Sequence, residues 1–298
     1  MWGATAGRAV VAFVAAFARK RRSSVARLPQ PRSRTGIIRV LGGAKVTDGP
    51  AVWTDGYRVR AYEVGADGRA TLPAVCNWLQ ETAGNHATAL GWAVDTLQAQ
   101  GRTWVLSRLH LRLAELPRWR DEVRVTTWPA GVHRVFALRE FRIEDGGGRE
   151  LGIATTGWLL LDLATHRPLR SLADVEAIAR NAPGRVLDDP FDRLPETESP
   201  DSETAVEVRF ADLDMNHHAN NVSVIAWALE ALPEDVALGA TFGALEIEFR
   251  AETHHGDTIG VRAQREPAAP ATFRHTLVRA GDGREIARAR SVWTPGRS

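Results

Sequence analysis

The chain has 298 residues, 44% of them hydrophobic and 25% charged, which suits one large globular domain or two medium ones. Its one cysteine, Cys76, excludes an internal disulfide, and no apolar run approaches the length of a membrane span. The net charge of +2 is unevenly distributed, because residues 1–45 hold ten Lys or Arg and no acid. The rest has 28 basic against 36 acidic residues and no nucleic-acid motif, which argues against a nucleic-acid partner.

The basic N-terminal segment has three interpretations. An apolar run at residues 9–18 resembles a secretory signal, but the basic cluster directly after it disfavours export. Arg-rich, Ser-containing and acid-free segments are also typical of organelle transit peptides. We favour a disordered extension of a cytoplasmic bacterial protein, with a plastid protein as the alternative. Residues 1–50 are therefore excluded from the fold prediction.

The first long helix is predicted at residues 71–90. Thr71 is suited to the N-cap, and Pro73 is tolerated in the first turn. The helix would present one apolar face, because side chains at helical spacing recur along it: Val75, Leu79, Ala83, His86 and Leu90.

A second helical pattern follows Asn221, with Asn220 or Asn221 as its N-cap. Its apolar face is predicted to hold Val222, Ile225, Leu229 and Leu232. Residues Trp78 and Glu81 of the first helix recur 149 positions later as Trp227 and Glu230. The chain therefore contains an internal repeat.

The strands after each helix repeat as well. The alternating segments 109–113 and 245–249 correspond, and so do 120–125 and 256–261, at an offset of 136 residues. A longer loop after the first helix, residues 91–102, absorbs the 13-residue difference between the two offsets. Further alternating strands are predicted at residues 134–144, 150–162, 272–279 and 284–293, joined in pairs by glycine-rich turns.

Each half thus has a strand, a long helix and four more strands, which predicts an α+β fold with an antiparallel sheet wrapped around a central helix. The halves are placed at residues 51–170 and 205–295. Residues 171–204 are acidic and rich in turn-forming residues, and we interpret them as a linker with one short helix at 172–180.

The segment DLDMNHHANN, residues 212–221, has the highest density of candidate catalytic groups. Capping alone would explain one or two Asp or Asn residues before a helix, but not paired histidines. A helix N-terminus can also polarise a carbonyl and stabilise an oxyanion. Asp214, Asn216 and His218 occupy alternate positions, so in an extended run they would point the same way.

A second cluster, residues 252–255, follows the strand LEIEF and begins with Glu252. An exposed turn, which is common for Glu and His, is the interpretation that the sequence alone favours for this cluster. The internal repeat serves as a control, because the offsets place the catalytic candidates on Gly65, Asp67, Arg69 and Leu116 of the first half. Capping is needed in both halves, whereas these acid–base groups occur in one.

Three motifs carry a family resemblance that spans residues 57–293. They are VRAYEVGADGRATLPAVCNWLQETAGNHA and WVLSRLHLRL in the first half and DLDMNHHANNVSVIAWALE in the second. The chain resembles the acyl-[acyl-carrier-protein] thioesterases of plants and bacteria. The resemblance implies a double (tandem) hotdog fold without a metal or cofactor. It also implies hydrolysis of a fatty acyl thioester of acyl carrier protein, which releases free fatty acid.

The resemblance assigns catalytic roles to Asp214, Asn216, His218 and Glu252. Many relatives have a cysteine directly after the glutamate, where this chain has Thr253, so a thiolate mechanism is not expected here. Our hypothesis is attack by water, with Glu252 as general base or as nucleophile through an acyl anhydride. Asp214 and His218 would orient it or move the proton to the leaving thiol. Asn216 and the helix N-terminus would hold the carbonyl oxygen.

The first half is then expected to bind the acyl chain in an apolar slot. Candidate lining residues are Val75, Leu79, Ala83, Val105 and Leu109. Ordinary core packing explains each of these residues equally well, because such a slot would be built from the core itself.

Four alternatives are weighed against this interpretation. A metallohydrolase could use the acid and histidine clusters, although their spacing fits no known zinc motif. A serine hydrolase lacks its GxSxG motif. A non-catalytic acyl- or carrier-binding protein could share the scaffold. An acyl-CoA or aromatic acyl-CoA thioesterase would differ only in the carrier. The sequence leaves acyl chain length open, together with the choice between monomer and homodimer.

Overall fold

The computed structural model describes residues 49–169 and 172–295, and the predictions made for residues 1–48 lie outside this range. Its strands form one antiparallel sheet of ten. No helix in the described residues has the length and apolar character that crossing a bilayer requires.

The first half contains five strands and two helices. In chain order they are β1 (Trp53–Arg58), α1 (Leu72–Ala89), α2 (Val94–Ala99), β2 (Arg102–Leu113), β3 (Glu122–His133), β4 (Phe136–Asp145) and β5 (Glu150–Asp162).

The connection and the second half continue this pattern. They contain α3 (Ala173–Ala179), β6 (Ser202–Glu207), α4 (Asn221–Leu229), α5 (Glu234–Gly239), β7 (Ala240–Phe249), β8 (Thr258–Glu266), β9 (Ala269–Arg279) and β10 (Arg284–Pro295).

The order of strands in the sheet is β1-β3-β4-β5-β2-β7-β10-β9-β8-β6. The two halves meet in the middle of the sheet, where β2 pairs with β7 from Arg108↔Glu248 to Arg112↔Ala244. Helices α1 and α4 contact each other across this junction and pack against the same face of the sheet. The predicted α+β class is confirmed, because each half buries its helix against antiparallel strands. This arrangement places the start of α4 beside residues contributed by the first half.

The predicted helix α1 is confirmed to within one residue at each end. Thr71 is its N-cap and accepts a hydrogen bond from the Ala74 N–H at 3.3 Å, and all five residues of the predicted apolar face are buried. Asn220 is the N-cap of α4. That helix is shorter than its pattern predicted, since it ends at Leu229 and Leu232 lies beyond it. The long loop after α1 contains the short helix α2.

The later part of the connecting segment, residues 184–196, packs on the outer face of the sheet. Asp189 lies 2.8 Å from His110 Nδ1 on β2, and the Trp128 indole of β3 donates a hydrogen bond to the Gly184 carbonyl at 2.6 Å. Further along, Arg288 of β10 pairs with Glu196 at 2.7 Å. The earlier part, α3, packs instead with Leu90 and Trp92, and its Val175 lines the cavity described below.

Candidate active site

Residues 213–219 form a tight turn rather than an extended run. The Asp214 N–H donates to the His218 carbonyl at 2.7 Å, the His217 N–H donates to the Asp214 carbonyl at 3.0 Å, and Leu213 pairs with Ala219. His217 has a positive φ of 61°, which the reversal of the chain requires. The expectation that alternate side chains point the same way along an extended strand was therefore wrong.

The Asp214 carboxylate organises this turn from inside. Its Oδ1 accepts hydrogen bonds from the backbone N–H groups of Asn216 at 2.8 Å and His218 at 3.3 Å. The Asn216 side-chain amide lies 3.5 Å from Asp214 Oδ2. The turn leads directly into α4, whose N-cap Asn220 accepts from the Val222 N–H at 2.9 Å. The positive end of the α4 dipole thus lies next to the turn.

Glu252 lies three residues past the end of β7, and its carboxylate Oε2 is 3.5 Å from His218 Nε2. Two backbone contacts hold it there, since the Ala219 N–H donates to the Thr253 carbonyl at 3.0 Å and Arg279 donates to the Glu252 carbonyl at 3.3 Å. Burial raises the pKa of Glu252 to about 7. The negative charge of Asp214 adds to this increase, while Arg284 opposes it.

The residues after Glu252 differ sharply in environment. Thr253 is 1% exposed, and its hydroxyl has no hydrogen-bond partner within residues 49–169 and 172–295. The His254 ring packs edge-to-face on the His218 ring, with centroids 5.0 Å apart and planes at 84°. Ligand atoms of His218, Glu252 and His254 lie within 4.8 Å of one another, so these three residues could hold a metal ion.

A cavity of about 1500 Å³ extends from this site into the first half. All four predicted catalytic residues line it, and so do Ala83 and Val105 of the predicted acyl slot. The other three slot candidates, Val75, Leu79 and Leu109, are buried in the main core and are not among the residues that line this cavity. They pack where the helix meets the sheet, which leaves no free surface for a ligand.

The sequence interpretation missed several residues of the cavity wall. Three tryptophans contribute to it: Trp92, Trp104 and Trp158. Gln98 of α2 donates to Asn216 Oδ1 at 3.4 Å, which links the first-half loop to the 213–219 turn. The unusual length of that loop was the available signal, but nothing in the sequence indicated where it would pack.

Arg139 of β4 is a buried cation in the cavity wall that sequence reasoning also missed. Its Nη1 donates to His86 Nδ1 at 3.0 Å and to Thr127 Oγ1 at 3.2 Å. Burial lowers the pKa of Arg139 to about 10, and burial followed by the charge of Arg139 lowers the pKa of His86 to about 4. His86 is therefore neutral near pH 7 and accepts this hydrogen bond. The His86 position on the apolar face of α1 had been assigned to simple packing.

Comparison with known proteins agrees with this geometry. The acyl-ACP thioesterase N-terminal domain matches residues 50–179, and the C-terminal domain of the same family matches residues 196–295. A palmitoyl-acyl carrier protein thioesterase of Cuphea hookeriana is 30% identical over 89% of this chain and 68% of its own length. The chain belongs to the acyl-ACP thioesterase family. It is accordingly a thioester hydrolase.

Other members of the family support the assignment across both halves. An oleoyl-acyl carrier protein thioesterase of Coriandrum sativum, named as chloroplastic, is 29% identical over 89% of this chain and 83% of its own length. The 12:0-ACP thioesterase from Umbellularia californica superimposes with a TM-score of 0.73 at 25% identity, covering 83% of this chain and 98% of that one. An acyl-ACP thioesterase from Bacteroides thetaiotaomicron shares the fold, with a TM-score of 0.72 at 24% identity over 82% of this chain and 98% of its own. The tandem hotdog fold predicted from the sequence is confirmed.

Proposed function

We propose that this family member hydrolyses fatty acyl thioesters of acyl carrier protein and releases free fatty acid. Residues 205–295 would be the catalytic half, residues 51–170 the acyl-binding half, and residues 171–204 the connection between them. The main support is the position of Glu252, a half-buried carboxylate with a raised pKa, beside His218 on a cavity of about 1500 Å³. A cavity of this size is ample for a single fatty acyl chain.

In the proposed mechanism Glu252 acts as the general base. A base is most effective when its pKa lies near the working pH, and burial raises the pKa of Glu252 to about 7. Glu252 would remove a proton from water, and the hydroxide formed would add to the thioester carbonyl carbon. The alternative for the same carboxylate is nucleophilic attack through an acyl anhydride, which also requires its ionised form.

Asn216 and the start of α4 are proposed to stabilise the oxyanion. Gln98 donates to Asn216 Oδ1, and the Asn216 NH₂ group lies 3.5 Å from Asp214 Oδ2. An amide NH₂ group has two N–H donors, so the second is available for the carbonyl oxygen. Asn216, Asn220 and Asn221 line the cavity, so donors from the turn and from the helix start face the same space. Hydrogen bonds from such preorganised donors become stronger as negative charge develops on the carbonyl oxygen. His218 is proposed to orient the Glu252 carboxylate across the 3.5 Å contact.

The deciding experiment is a hydrolysis panel of acyl-ACP and acyl-CoA thioesters of several chain lengths. We expect a higher kcat/KM with the carrier-protein thioesters. Glu252→Gln should lower kcat by roughly 10²- to 10⁴-fold on every substrate, since it removes the base. The matched control is Glu81→Gln, because Glu81 is an exposed carboxylate of the same cavity wall and should tolerate the change.

Each alternative predicts a different outcome of that panel. Higher kcat/KM with CoA thioesters would favour an acyl-CoA thioesterase, and binding without turnover would favour a non-catalytic carrier-binding protein. His218, Glu252 and His254 could hold a metal ion, so the metallohydrolase alternative is tested separately with a chelator. We expect a chelator to leave the rate unchanged, and loss of activity that added zinc restores would contradict the metal-free mechanism.

A further inference from the structure

His254 lies beside His218 and Glu252, but it has no role in the mechanism proposed above. Its ring contacts the His218 ring edge-to-face, and a ring nitrogen lies within 4.8 Å of both His218 and the Glu252 carboxylate. Its side chain is 38% exposed and lines the cavity. The neighbouring His255 is exposed and is not among the cavity-lining residues.

Asp257 and Arg279 hold His254 in this position. The backbone N–H of His254 donates to Asp257 Oδ2 at 2.9 Å, and the His254 ring Nδ1 lies 3.9 Å from the same oxygen. Arg279 donates to Asp257 Oδ2 at 3.1 Å and to the Glu252 carbonyl at 3.3 Å. Arg279 therefore contacts the backbone of Glu252 directly and is linked to His254 through Asp257.

The first half contains the same turn without the histidine, so the two turns show which residues the backbone requires. Arg118 occupies the position equivalent to His254, and its N–H donates to Asp121 Oδ2 at 2.8 Å, as the His254 N–H does to Asp257. The turn therefore forms without an imidazole. Folding explains the aspartate but gives no reason for a histidine ring beside His218 and Glu252.

Thioester hydrolysis requires a second proton transfer besides the one made by Glu252. When the tetrahedral intermediate breaks its C–S bond, the electron pair stays on sulfur, and an alkyl thiolate with a pKa near that of cysteine, roughly 8.5, gains from protonation as it departs. We propose that His254 is an additional catalytic residue, the general acid that protonates the departing sulfur. This inference rests on the proposed function and deepens it.

The proton balance of this step closes. Glu252 takes one proton from water, the hydroxide joins the acyl carbon, and protonated His254 gives its proton to the thiolate. Glu252 then returns its proton to His254 across the cluster, directly or through His218. The products are a carboxylic acid and a free thiol, and both residues regain their starting states.

A leaving-group comparison tests this role. The variants are His254→Asn and the matched control His255→Asn, each assayed with an acyl-pantetheine thioester and with the corresponding thiophenyl thioester. A thiophenolate departs without protonation because it is far less basic than an alkyl thiolate. We expect His254→Asn to lower kcat on the pantetheine thioester by roughly 10²-fold while retaining most activity on the thiophenyl thioester. His255→Asn should behave as the unmodified protein on both.

The outcomes separate this inference from the proposed function. Glu252→Gln should lose activity on both thioesters, because water must be activated for either. Equal losses of His254→Asn on both thioesters, with an unchanged melting temperature, would show that His254 only positions Glu252. Wild-type activity on both would show that it has no role, while leaving the assignment of Glu252 intact.

Discussion

The turns before α1 and α4 have the same backbone and different chemistry. Gly65 N–H donates to the Arg69 carbonyl at 2.9 Å, where Asp214 donates to His218 at 2.7 Å. Gly68, with φ of 72°, occupies the place of His217, with φ of 61°. In the first turn, Asp67 Oδ1 accepts the Arg69 N–H at 3.0 Å, so a carboxylate supports that turn as well.

The strand ends that face the two turns also correspond. The Ala70 N–H donates to the Pro117 carbonyl at 2.8 Å, as Ala219 does to Thr253 at 3.0 Å. Where His218 contacts Glu252, the first half has Arg69, which donates to the Leu116 carbonyl at 3.0 Å. The same backbone pattern therefore forms in the first half without the acid–base side chains of the second half.

The strongest test of this view places the first-half residue in the second half. His218→Arg should fold, because Arg69 occupies the equivalent position, but should lower kcat/KM by roughly 10²- to 10⁴-fold through loss of the imidazole beside Glu252. Steady-state hydrolysis and a thermal melt measure the two effects. The reciprocal variant Arg69→His is the control and should retain activity. An active His218→Arg protein would contradict the assignment of His218.

A carboxylate kept in a desolvated site should reduce stability as well as provide catalysis. The pKa of Glu252 is raised from 4.5 to about 7, so its ionisation destabilises the folded state, and this cost grows as the pH rises from about 4.5 and is complete above 7. Because the Glu252 side chain is 21% exposed, we expect Glu252→Gln to raise the free energy of unfolding by only roughly 2 kcal/mol at pH 8.5 and to have little effect below about pH 4. Denaturant titration at the two pH values measures the difference. A pH-independent effect would mean that the carboxyl group is hydrated in solution.

Sequence reasoning predicted the elements best where local physics decides them. The apolar periodicity and the cap of α1 are local signals, and the bounds of that helix followed to within one residue. The repeat offsets predicted the equivalent strands, because each half packs its helix against antiparallel strands in the same order. Glu252 could be paired with the turn only through the family resemblance, since no local pattern connects residues so far apart in sequence.

The features that the sequence did not predict depend on packing between residues far apart in the chain. The alternate polar residues of the 213–219 segment would point the same way in an extended run, yet the backbone hydrogen bond from Asp214 to His218 closes the segment into a turn. The contact of Gln98 with Asn216 joins residues 118 positions apart, and no periodicity could indicate it. Nor could composition separate Ala83, which lines the cavity, from Leu79, which lies one turn away in the core.

The helix caps offer a matched pair for comparing the halves. Thr71 Oγ1 accepts from Ala74 at 3.3 Å, and Asn220 Oδ1 accepts from Val222 at 2.9 Å. Either substitution to alanine should reduce the free energy of unfolding by about 1 kcal/mol, because it leaves a helical N–H without its acceptor. Only Asn220→Ala should also lower kcat, since α4 begins at the catalytic turn. Equal activities for both variants would argue against a catalytic role for the α4 terminus.

The smallest expected effect concerns Thr253, which follows the proposed base. In the first half the equivalent residue is Pro117, which has no side-chain hydroxyl, so this position needs none for folding. The Thr253 hydroxyl is buried and lacks a hydrogen-bond partner among the described residues, which makes it a poor nucleophile and a cost to stability. Thr253→Val preserves the shape of the side chain, so kcat should change by less than about threefold, and the free energy of unfolding should stay equal or rise by up to about 1 kcal/mol.

Thr253→Ala should also keep most activity, but it should lower the free energy of unfolding because it leaves a cavity. If both variants fold and neither turns over substrate, the hydroxyl itself takes part in the reaction, and the assignment of the water-activating role to Glu252 is wrong.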